Sequence, residues 1–500
     1  VPLQSNALNK VFLIIAMTAC YAMIFIDQSG VAVTLPRIQQ SLVLSSNAIH
    51  WVVNAYVLVI AVLLLLGGKL ADIYGYRKIF ISGLVLFLLA SVICAIAQDS
   101  MMLLAGRVVQ GVGASLIMPC VAVLIHMNFA ENEFGKAFGI ILAASNFFFA
   151  MGPFIGGILT EFINWRWFFL VNIPIGGICL YLTFLTIAKD TVIPGRKFSD
   201  IKGLLVFIIG ISAMVVALMQ GDSFGWSSMW TIVLFIVAIV GILLFIKIEL
   251  RADEPLLQIR LFANKIFATS SIILFCASVC LASMVFWALW LQTGLGFLPA
   301  TVGIALLPAT VAFIFMPPIG GAWADKVGPR SPLLLGSILI LIGVVWIAIT
   351  AQFQSYAWII FGLLAVGFGI PLTIPTSITS MVTAVEAEQR GMASGTYGVA
   401  MQVSTAIGFA IMSAIIASYS NSHFSQLIKT SVDYAGITVH QISVLLAGKN
   451  LISNLDTVKL AVLKQAATLI YTHAFAYGMA AICLFAAIAC ILSFLFIPKK

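Results

Sequence analysis

Gly68-Lys-Leu-Ala-Asp72-Ile-Tyr-Gly75-Tyr-Arg77 and Gly321-Ala-Trp-Ala-Asp325-Lys-Val-Gly328-Pro-Arg330 carry one pattern twice. Gly, Ala, Asp, Gly and Arg return at the same internal spacing, each displaced by 253 positions. Both copies are short polar links between long apolar stretches. Glycines permit a tight turn there, and an Asp and an Arg can lock neighbouring helix ends through a charge-assisted hydrogen bond. A chain that repeats such a link is built from two related halves.

The stretches flanking these links decide the fold class. The 500 residues are 62% hydrophobic and 8% charged, against roughly 25% charged in a soluble domain, so a water-soluble fold is excluded. Crossing hydrocarbon as a helix takes about 20 apolar residues, because each backbone amide must bond within its own segment. Fourteen stretches of that kind are expected, near 10–35, 48–68, 79–97, 102–125, 136–159, 167–188, 203–220, 229–248, 266–292, 301–323, 332–350, 356–380, 393–418 and 471–497. The first lacks a small-residue cleavage site and is expected to be a retained helix. All eight cysteines fall inside these stretches, where they serve as small apolar residues. No metal set is expected.

The net charge of +8 could suggest a nucleic-acid partner, but its placement argues against one. With the N-terminus in the cytoplasm, eighteen Lys and Arg lie on cytoplasmic segments and Arg107 lies within a helix. The six outside are Arg37, Arg166, Lys429, Lys449, Lys459 and Lys464, four of them in one long loop. Short loops dominate the positive-inside bias, so both termini are expected in the cytoplasm, which an even number of crossings requires.

Two six-helix halves repeat at closer to 190 residues than 253. The surplus matches 190–265, which holds two further apolar stretches between charged flanks. The expected plan is an all-α membrane protein: a six-helix bundle over 1–189, two additional helices with linkers over 190–265, and a second six-helix bundle over 266–500. The inserted pair is expected at the periphery of the twelve-helix core. The segment 419–470 is expected as an external loop, with the last helix extending outward and a short helix or hairpin before it. Its reading stays open between a cover for the outer mouth and a passive surface excursion.

Further motifs follow in order. The fourth stretch carries Arg107-Val-Val-Gln110-Gly111-Val-Gly113, and the fifth Gly152-Pro153-Phe-Ile-Gly156-Gly157. Trp165-Arg-Trp-Phe-Phe-Leu-Val-Asn172-Ile-Pro174 comes next, and the first stretch has Asp27-Gln-Ser29-Gly-Val-Ala32-Val-Thr-Leu-Pro36. Together with Gly68–Lys78 these resemble the major facilitator superfamily, and within it the fourteen-helix drug:proton antiporter family, over almost the whole chain. The resemblance implies the major facilitator fold, a buried-arginine motif at Arg107, an antiporter motif at Gly152, Pro153, Gly156 and Gly157, and gating links at Asp72, Gly75, Arg77, Asp325, Gly328 and Arg330. Ser29 and Ala32 stand where that branch more often has Thr and Asn, and Ile73 and Tyr76 replace frequent basic residues.

Charge within a membrane is costly, so an ionisable residue kept at depth points to function. Asp27 and Arg107 qualify. Counted from the ends of their helices, their depths differ by about 5 Å, close enough to pair directly or through water. Desolvation works against an ionised carboxylate and a nearby guanidinium works for it, so a small rearrangement moves the proton. That is the requirement for proton coupling, although a structural salt bridge is the bland alternative. A cargo cavity is expected between the halves near the midplane. Trp51, Asn54, Tyr56, Gln110, Asn146, Trp287, Trp290, Gln292, Tyr397 and Gln402 are the candidate lining residues, each joining a polar or aromatic group to apolar surroundings.

The leading expectation is a proton-coupled exporter of drugs or other amphipathic molecules. A dedicated carrier of a siderophore, amino acid or lipid-like solute is the alternative, and a non-transporting sensor or scaffold a remote one. No catalytic triad, phosphate loop or nucleotide site is present in the sequence, so no enzymatic activity and no cofactor are expected. The proton gradient would supply the energy. The expected partners are a small-molecule substrate, protons and membrane lipids, with the chain working as a monomer in a bacterial inner membrane.

Overall fold

The computed structural model describes residues 7–129, 131–188, 201–252, 255–386, 390–430, 437–448, 452 and 456–496. With no water to bond to in the hydrocarbon, a spanning chain must satisfy its backbone locally, and the described residues contain helices and no strand. The first spans are α1 (Ala7–Leu42), α2 (Ser46–Tyr74), α3 (Tyr76–Ile96), α4 (Ser100–Asn128) and α5 (Glu131–Phe162). The sixth is divided at Val171 into α6 (Trp165–Leu170) and α7 (Asn172–Thr186). Two further spans follow, α8 (Ile201–Phe224) and α9 (Met229–Glu249).

In the last group, Ser283 separates α10 (Lys265–Ala282) from α11 (Met284–Thr293), and Val311 separates α12 (Pro299–Thr310) from α13 (Ala312–Val327). Then come α14 (Arg330–Thr350), α15 (Tyr356–Thr383), α16 (Arg390–Thr430), α17 (Val439–Leu446) and α18 (Thr457–Leu495). Among the described residues, fourteen spans are long and apolar enough to cross a bilayer. Polar side chains close several ends by accepting otherwise unpaired amides: Ser45 from Ala48, Asp99 from Met102, Ser228 from Thr231 and Asp456 from Lys459. For orientation, one end of the bundle is called the Asp72 face and the other the Arg37 face.

The repeat seen in the sequence is a repeat of backbone geometry. Gly75 ends α2 at φ +100° and Gly328 ends α13 at φ +87°. In both, the glycine N–H bonds to the alanine carbonyl four residues back, Ala71 at 2.9 Å and Ala324 at 2.8 Å. The offset of 253 continues into the next span, where Gly83 and Gly336 let α3 and α14 press on their neighbours. A Cβ on Gly83 would lie 2.8 Å from the Gly113 carbonyl, and one on Gly336 would lie 2.3 Å from Thr373 Oγ1.

The inserted pair forms its own close crossing, with a Cβ on Gly241 falling 2.8 Å from Gly210 Cα. From there α8 leans on α2 and α16. Asn421 Nδ2 donates to Asp222 at 2.5 Å, and Trp226 Nε1 donates to Ser418 at 3.4 Å. The far side of α9 exposes Ile232, Val233, Ile236, Ile239, Val240 and Leu243, the surface a lipid-facing helix presents. The pair thus covers the seam where α2 meets α16 from outside.

The segment expected as a loop is more ordered than its polarity suggested. Helix α16 continues to Thr430, α18 starts at Thr457, and between them α17 carries a capping box of Thr438 and Gln441. Phe424, Ile442, Leu445, Ile452, Leu463 and Ala467 close on one another as a small second core. Apolar residues at helical spacing need such a partner when they project beyond the bilayer. Gln40 Nε2 at the end of α1 donates to the Gly448 carbonyl at 3.1 Å, tying this knot to the first group of spans.

The turn geometry gives a test. Backbone near φ +90° with extended ψ is open essentially to glycine alone and costs other residues about 1–3 kcal/mol. Gly75→Ala and Gly328→Ala should each lower the thermal stability of the detergent-solubilised protein by that order. Gly68→Ala should leave it unchanged, because a Cβ there meets only Pro119 Cβ at 3.7 Å. Equal effects at positions 68 and 75 would contradict the assignment.

Candidate functional site

Asp27 of α1 and Arg107 of α4 meet in the middle of the first six spans. Arg107 Nη1 donates to Asp27 Oδ2 at 2.5 Å, and both side chains are fully buried. The guanidinium is held from every side. Its Nε donates to the Val52 carbonyl of α2 at 2.8 Å, and Nη1 also donates to Gln110 Oε1 at 2.8 Å. Its plane sits 4.3 Å from the Tyr56 ring and 5.8 Å from that of Phe169, where cation–π attraction is strongest in the absence of water.

Behind the pair, Ser91 of α3 is a junction. Its hydroxyl accepts from Gln110 Nε2 at 2.8 Å and from Asn172 Nδ2 at 3.2 Å, and donates to the Phe87 carbonyl at 2.9 Å. Five helices, α1, α2, α3, α4 and α7, therefore contribute to one buried polar cluster. Asp27 Oδ1, Arg107 Nη2, Asn172 Oδ1 and the Tyr56 hydroxyl have no hydrogen-bond partner among the described residues. Unfilled capacity of this kind is rare in a buried site and marks a place where a proton, water or ligand can bind.

The antiporter-motif residues work by what they lack. Pro153 has no N–H, so the Phe149 carbonyl one turn back loses its helical partner, and Ser29 Oγ of α1 reaches it at 2.8 Å. A Cβ on Gly152 would strike that same Ser29 Oγ, and one on Gly156 would lie 2.6 Å from the Gly30 carbonyl. On the other side of α5, a Cβ on Gly157 would lie 2.4 Å from the Pro299 carbonyl, and one on Gly303 would lie 2.7 Å from that of Pro153. Helix α5 is thus pressed bare against α1 of its own group and α12 of the other. At the Arg37 face, Glu161 Oε2 accepts the Ala300 N–H at 2.8 Å, closing an α12 N-terminus that has no side-chain cap of its own. Gln292 Nε2 of α11 donates to the Val33 carbonyl of α1 at 2.9 Å, on the same side.

Between the two groups lies a cavity of about 50 Å³. Gln28, Ser29 and Ala32 of α1, Val53 and Val57 of α2, and Phe149 and Pro153 of α5 line one wall. Met284, Val285, Ala288, Leu306, Thr405 and Phe409 stand on the other. Drug-sized pockets take roughly 300–1,000 Å³, so the structure holds this cavity collapsed, with the Arg37 side shut. A larger hollow of about 470 Å³ lies around Arg37, Glu161 and Trp165. It is an open bowl at the surface, away from the ion pair.

Of the candidate lining residues, none of the ten borders the cavity. Asn54 turns to α8 and donates to Met219 Sδ at 2.9 Å. Gln110 and Tyr56 belong to the arginine's setting, Trp290 stacks on Phe475 at 5.4 Å, and Gln292 joins α11 to α1. Trp287 and Gln402 are buried, and Trp51, Asn146 and Tyr397 are half-buried. Composition identified polar and aromatic groups in the spans but not which face of each helix meets the other half. Gln28, Ser29, Thr405 and Phe409 were missed for that reason. The signal for Gln28 was its place beside Asp27.

At the Asp72 face, the Tyr76 hydroxyl donates to Asp72 Oδ1, filling a position where the related family usually keeps a base. The Arg77 guanidinium lies 5.5 Å from the Phe184 ring at the end of α7. Arg330 lies 5.3 Å from the Phe494 ring at the end of α18 and donates to its carbonyl at 2.5 Å. These contacts expose a second internal repeat, Thr183-Phe-Leu-Thr-Ile-Ala-Lys189 against Ser493-Phe-Leu-Phe-Ile-Pro-Lys499. In each group, the arginine opening the third span sits on the phenylalanine closing the last. Gly328 occupies its turn as described, while the Asp325 side chain lies outside the described residues.

Two facing groups of six spans, a collapsed cavity between them and an ion pair sealed beside it define a class, the multi-pass secondary transporter. The chain belongs to the major facilitator superfamily, which residues 17–199 and 191–409 match. It is 32% identical to multidrug resistance protein Stp of Mycobacterium tuberculosis over 79% of this chain and 74% of that one. Cephamycin export protein CmcT of Amycolatopsis lactamdurans is 29% identical, over 86% and 90%. The fold resembles that of a bacterial homologue of the human lysosomal transporter Spinster, with a TM-score of 0.69 at 17% identity, over 98% of this chain and 97% of that one.

The bare α1–α5 contact gives a test. Gly152→Ala should abolish transport while the protein still inserts, because α1 and α5 cannot keep their distance. Gly139→Ala, on the same helix with nothing within 4 Å of its Cβ, should transport normally. Normal transport by Gly152→Ala would show that the close approach is dispensable.

Proposed function

We propose that the protein exports drugs or other hydrophobic and amphipathic small molecules across a bacterial inner membrane in exchange for protons, by alternating access. The observation that carries this reading is the Asp27–Arg107 pair, dry and under-bonded, one residue along α1 from Gln28 in the cavity wall. A carboxylate with one free oxygen and one guanidinium partner can exchange that partner for a proton without leaving an unpaired negative charge in the membrane. A shift of α1 that admits cargo at Gln28 and Ser29 also moves Asp27, which couples the two events. The apolar cavity walls suit hydrophobic cargo better than a polar metabolite. The relatives Stp, a multidrug resistance protein, and CmcT, a cephamycin export protein, support the same direction.

In this reading Asp27 carries the proton and Arg107 is its counter-ion. Asp72, Arg77 and Arg330 brace the Asp72 face, which is the cytoplasmic one, with both termini on it. The glycines and Pro153 let α5 slide on α1 and α12. The chain needs no cofactor, because the proton gradient does the work, and it acts as a monomer surrounded by lipid.

Asp27→Asn keeps an acceptor for Arg107 Nη1 and removes the titration. In inside-out vesicles with an acid interior, the variant should accumulate ethidium no better than vesicles without the protein, while wild type accumulates it. Wild-type accumulation by a fully inserted Asp27→Asn protein would remove the coupling role.

A further inference from the structure

Five histidines are scattered through the sequence and none belongs to a recognisable motif. The fold singles out His50. It lies on α2, one turn before the cavity-wall residue Val53 and two before Val57, on the face those residues share. It is 4% exposed, and its ring sits 5.5 Å from Phe286 of α11 and 6.2 Å from Phe409 of α16. The two phenylalanines touch each other at 4.9 Å, and Phe409 is itself part of the cavity wall. His50 Nδ1 has no hydrogen-bond partner among the described residues. An imidazole is therefore clamped across the seam between the two groups of spans, on the Arg37 side of the cavity, by rings that the opposite group supplies.

We propose that His50 is a second proton carrier of the transport cycle, loaded when the seam opens on the Arg37 side and emptied when it closes. The inference rests on the proton-coupled reading of the transporter and adds a residue and a stoichiometry to it. In the closed seam the ring is walled by Phe286 and Phe409, and Nδ1 meets no hydrogen-bond partner among the described residues. Opening the seam parts α2 from α11 and α16 and brings the imidazole to outside water, where histidine titrates near neutral pH. One proton then passes from external water to the ring nitrogen. Closure returns the ring to its aromatic slot, and the proton leaves toward the cavity walled by Val53 and Phe409.

The ionisable groups on the helices packed around α2 leave this role open. Asp27 of α1 and Arg107 of α4 are bound to each other, with Arg107 Nε on the Val52 carbonyl. Asp222 of α8 accepts from Asn421, and Cys94 of α3 is engaged with Gln110. Tyr397 and Tyr419 lie on α16, where His423 stacks on Tyr419 at 3.9 Å. His440 of α17 is the other histidine near the outer end of α2, and Phe286 and Phe409 are the rings that face His50 directly.

The test is a stoichiometry, which a packing role would not change. With the membrane potential clamped at zero by potassium and valinomycin, and a pH difference of about one unit, two protons per neutral cargo sustain a roughly 100-fold gradient and one proton a roughly tenfold one. Wild-type proteoliposomes should approach the first limit with an uncharged fluorescent drug, and His50→Gln should fall to the second. Equal limiting gradients in the two proteins would overturn the proposal.

Should the variant not fold, the wild-type protein still decides the matter. Saturating drug added in weakly buffered detergent solution near pH 6 should release more than one proton per protein, read with a pH dye. Release of one proton or fewer overturns the role of His50. Release of none, together with no ΔpH-driven accumulation by the wild-type protein, would overturn the coupled reading on which it rests.

Discussion

A charged pair in a membrane has to be held on all sides, and much of the first group of spans is arranged to hold this one. A single charged residue at mid-membrane costs roughly 2.5–3.5 kcal/mol on insertion scales, and removing one member of a buried pair costs about 3–5 kcal/mol. Asp27 and Arg107 meet the first cost together and remain liable to the second. Hence the Val52 carbonyl, Gln110, and the Tyr56 and Phe169 rings all face the guanidinium, and Ser91 and Asn172 fix Gln110 in turn. Such a cluster is rigid except where its bonding is incomplete, at Asp27 Oδ1 and Arg107 Nη2. Asp27 Oδ1 is the one of the two that can take up a proton, while Arg107 Nη2 can only donate to a new acceptor, in either case without rebuilding the five helices.

Motion enters through the neighbouring contact. Helix α1 carries Asp27 and, within three residues of it, Gly30 against Gly152 and Ser29 on the carbonyl that Pro153 left free. The same α5 backbone then lies bare against α12 of the second group. Smooth backbone surfaces without interlocking side chains can slide at little cost in dispersion contacts. The ion pair and the seam between the groups are thus joined by a few residues of α1 and α5. The shut Arg37 side, latched by Glu161 and Gln292, is one end of that movement.

How much of this was legible in the sequence follows from what one-dimensional patterns encode. Span number, the buried Asp and Arg, and the doubled link depend on hydrophobic length, rare charge and glycine spacing, which are local. Gly75 and Gly328 adopt the same positive-φ turn because the motif itself requires it. The cavity wall was not legible, since apolar spans carry almost no periodicity to show which face meets protein and which meets lipid. Asn54 looked like a cavity residue and faces α8; Gln292 looked like one and joins two helices. The pairing of Ser29 with the carbonyl freed by Pro153 joins residues 120 apart. The outward extension of the last helix and a short helix before it were legible from helical spacing, whereas the small second core that joins them is formed by residues distant in sequence, from Phe424 to Ala467.

The account turns on Asp27 exchanging its arginine for a proton as cargo binds and leaves. Ethidium affinity measured by fluorescence across pH, in wild type and Asp27→Asn, tests this most directly, since equilibrium binding is free of rate effects. If proton and cargo compete through Asp27, wild-type affinity weakens by up to about tenfold per pH unit on the acid side of its titration. The variant then loses the part of the pH dependence that Asp27 carries and keeps only the part that belongs to other groups. The same pH dependence in both proteins would show that the proton acts elsewhere, and that the buried pair only holds the helices together.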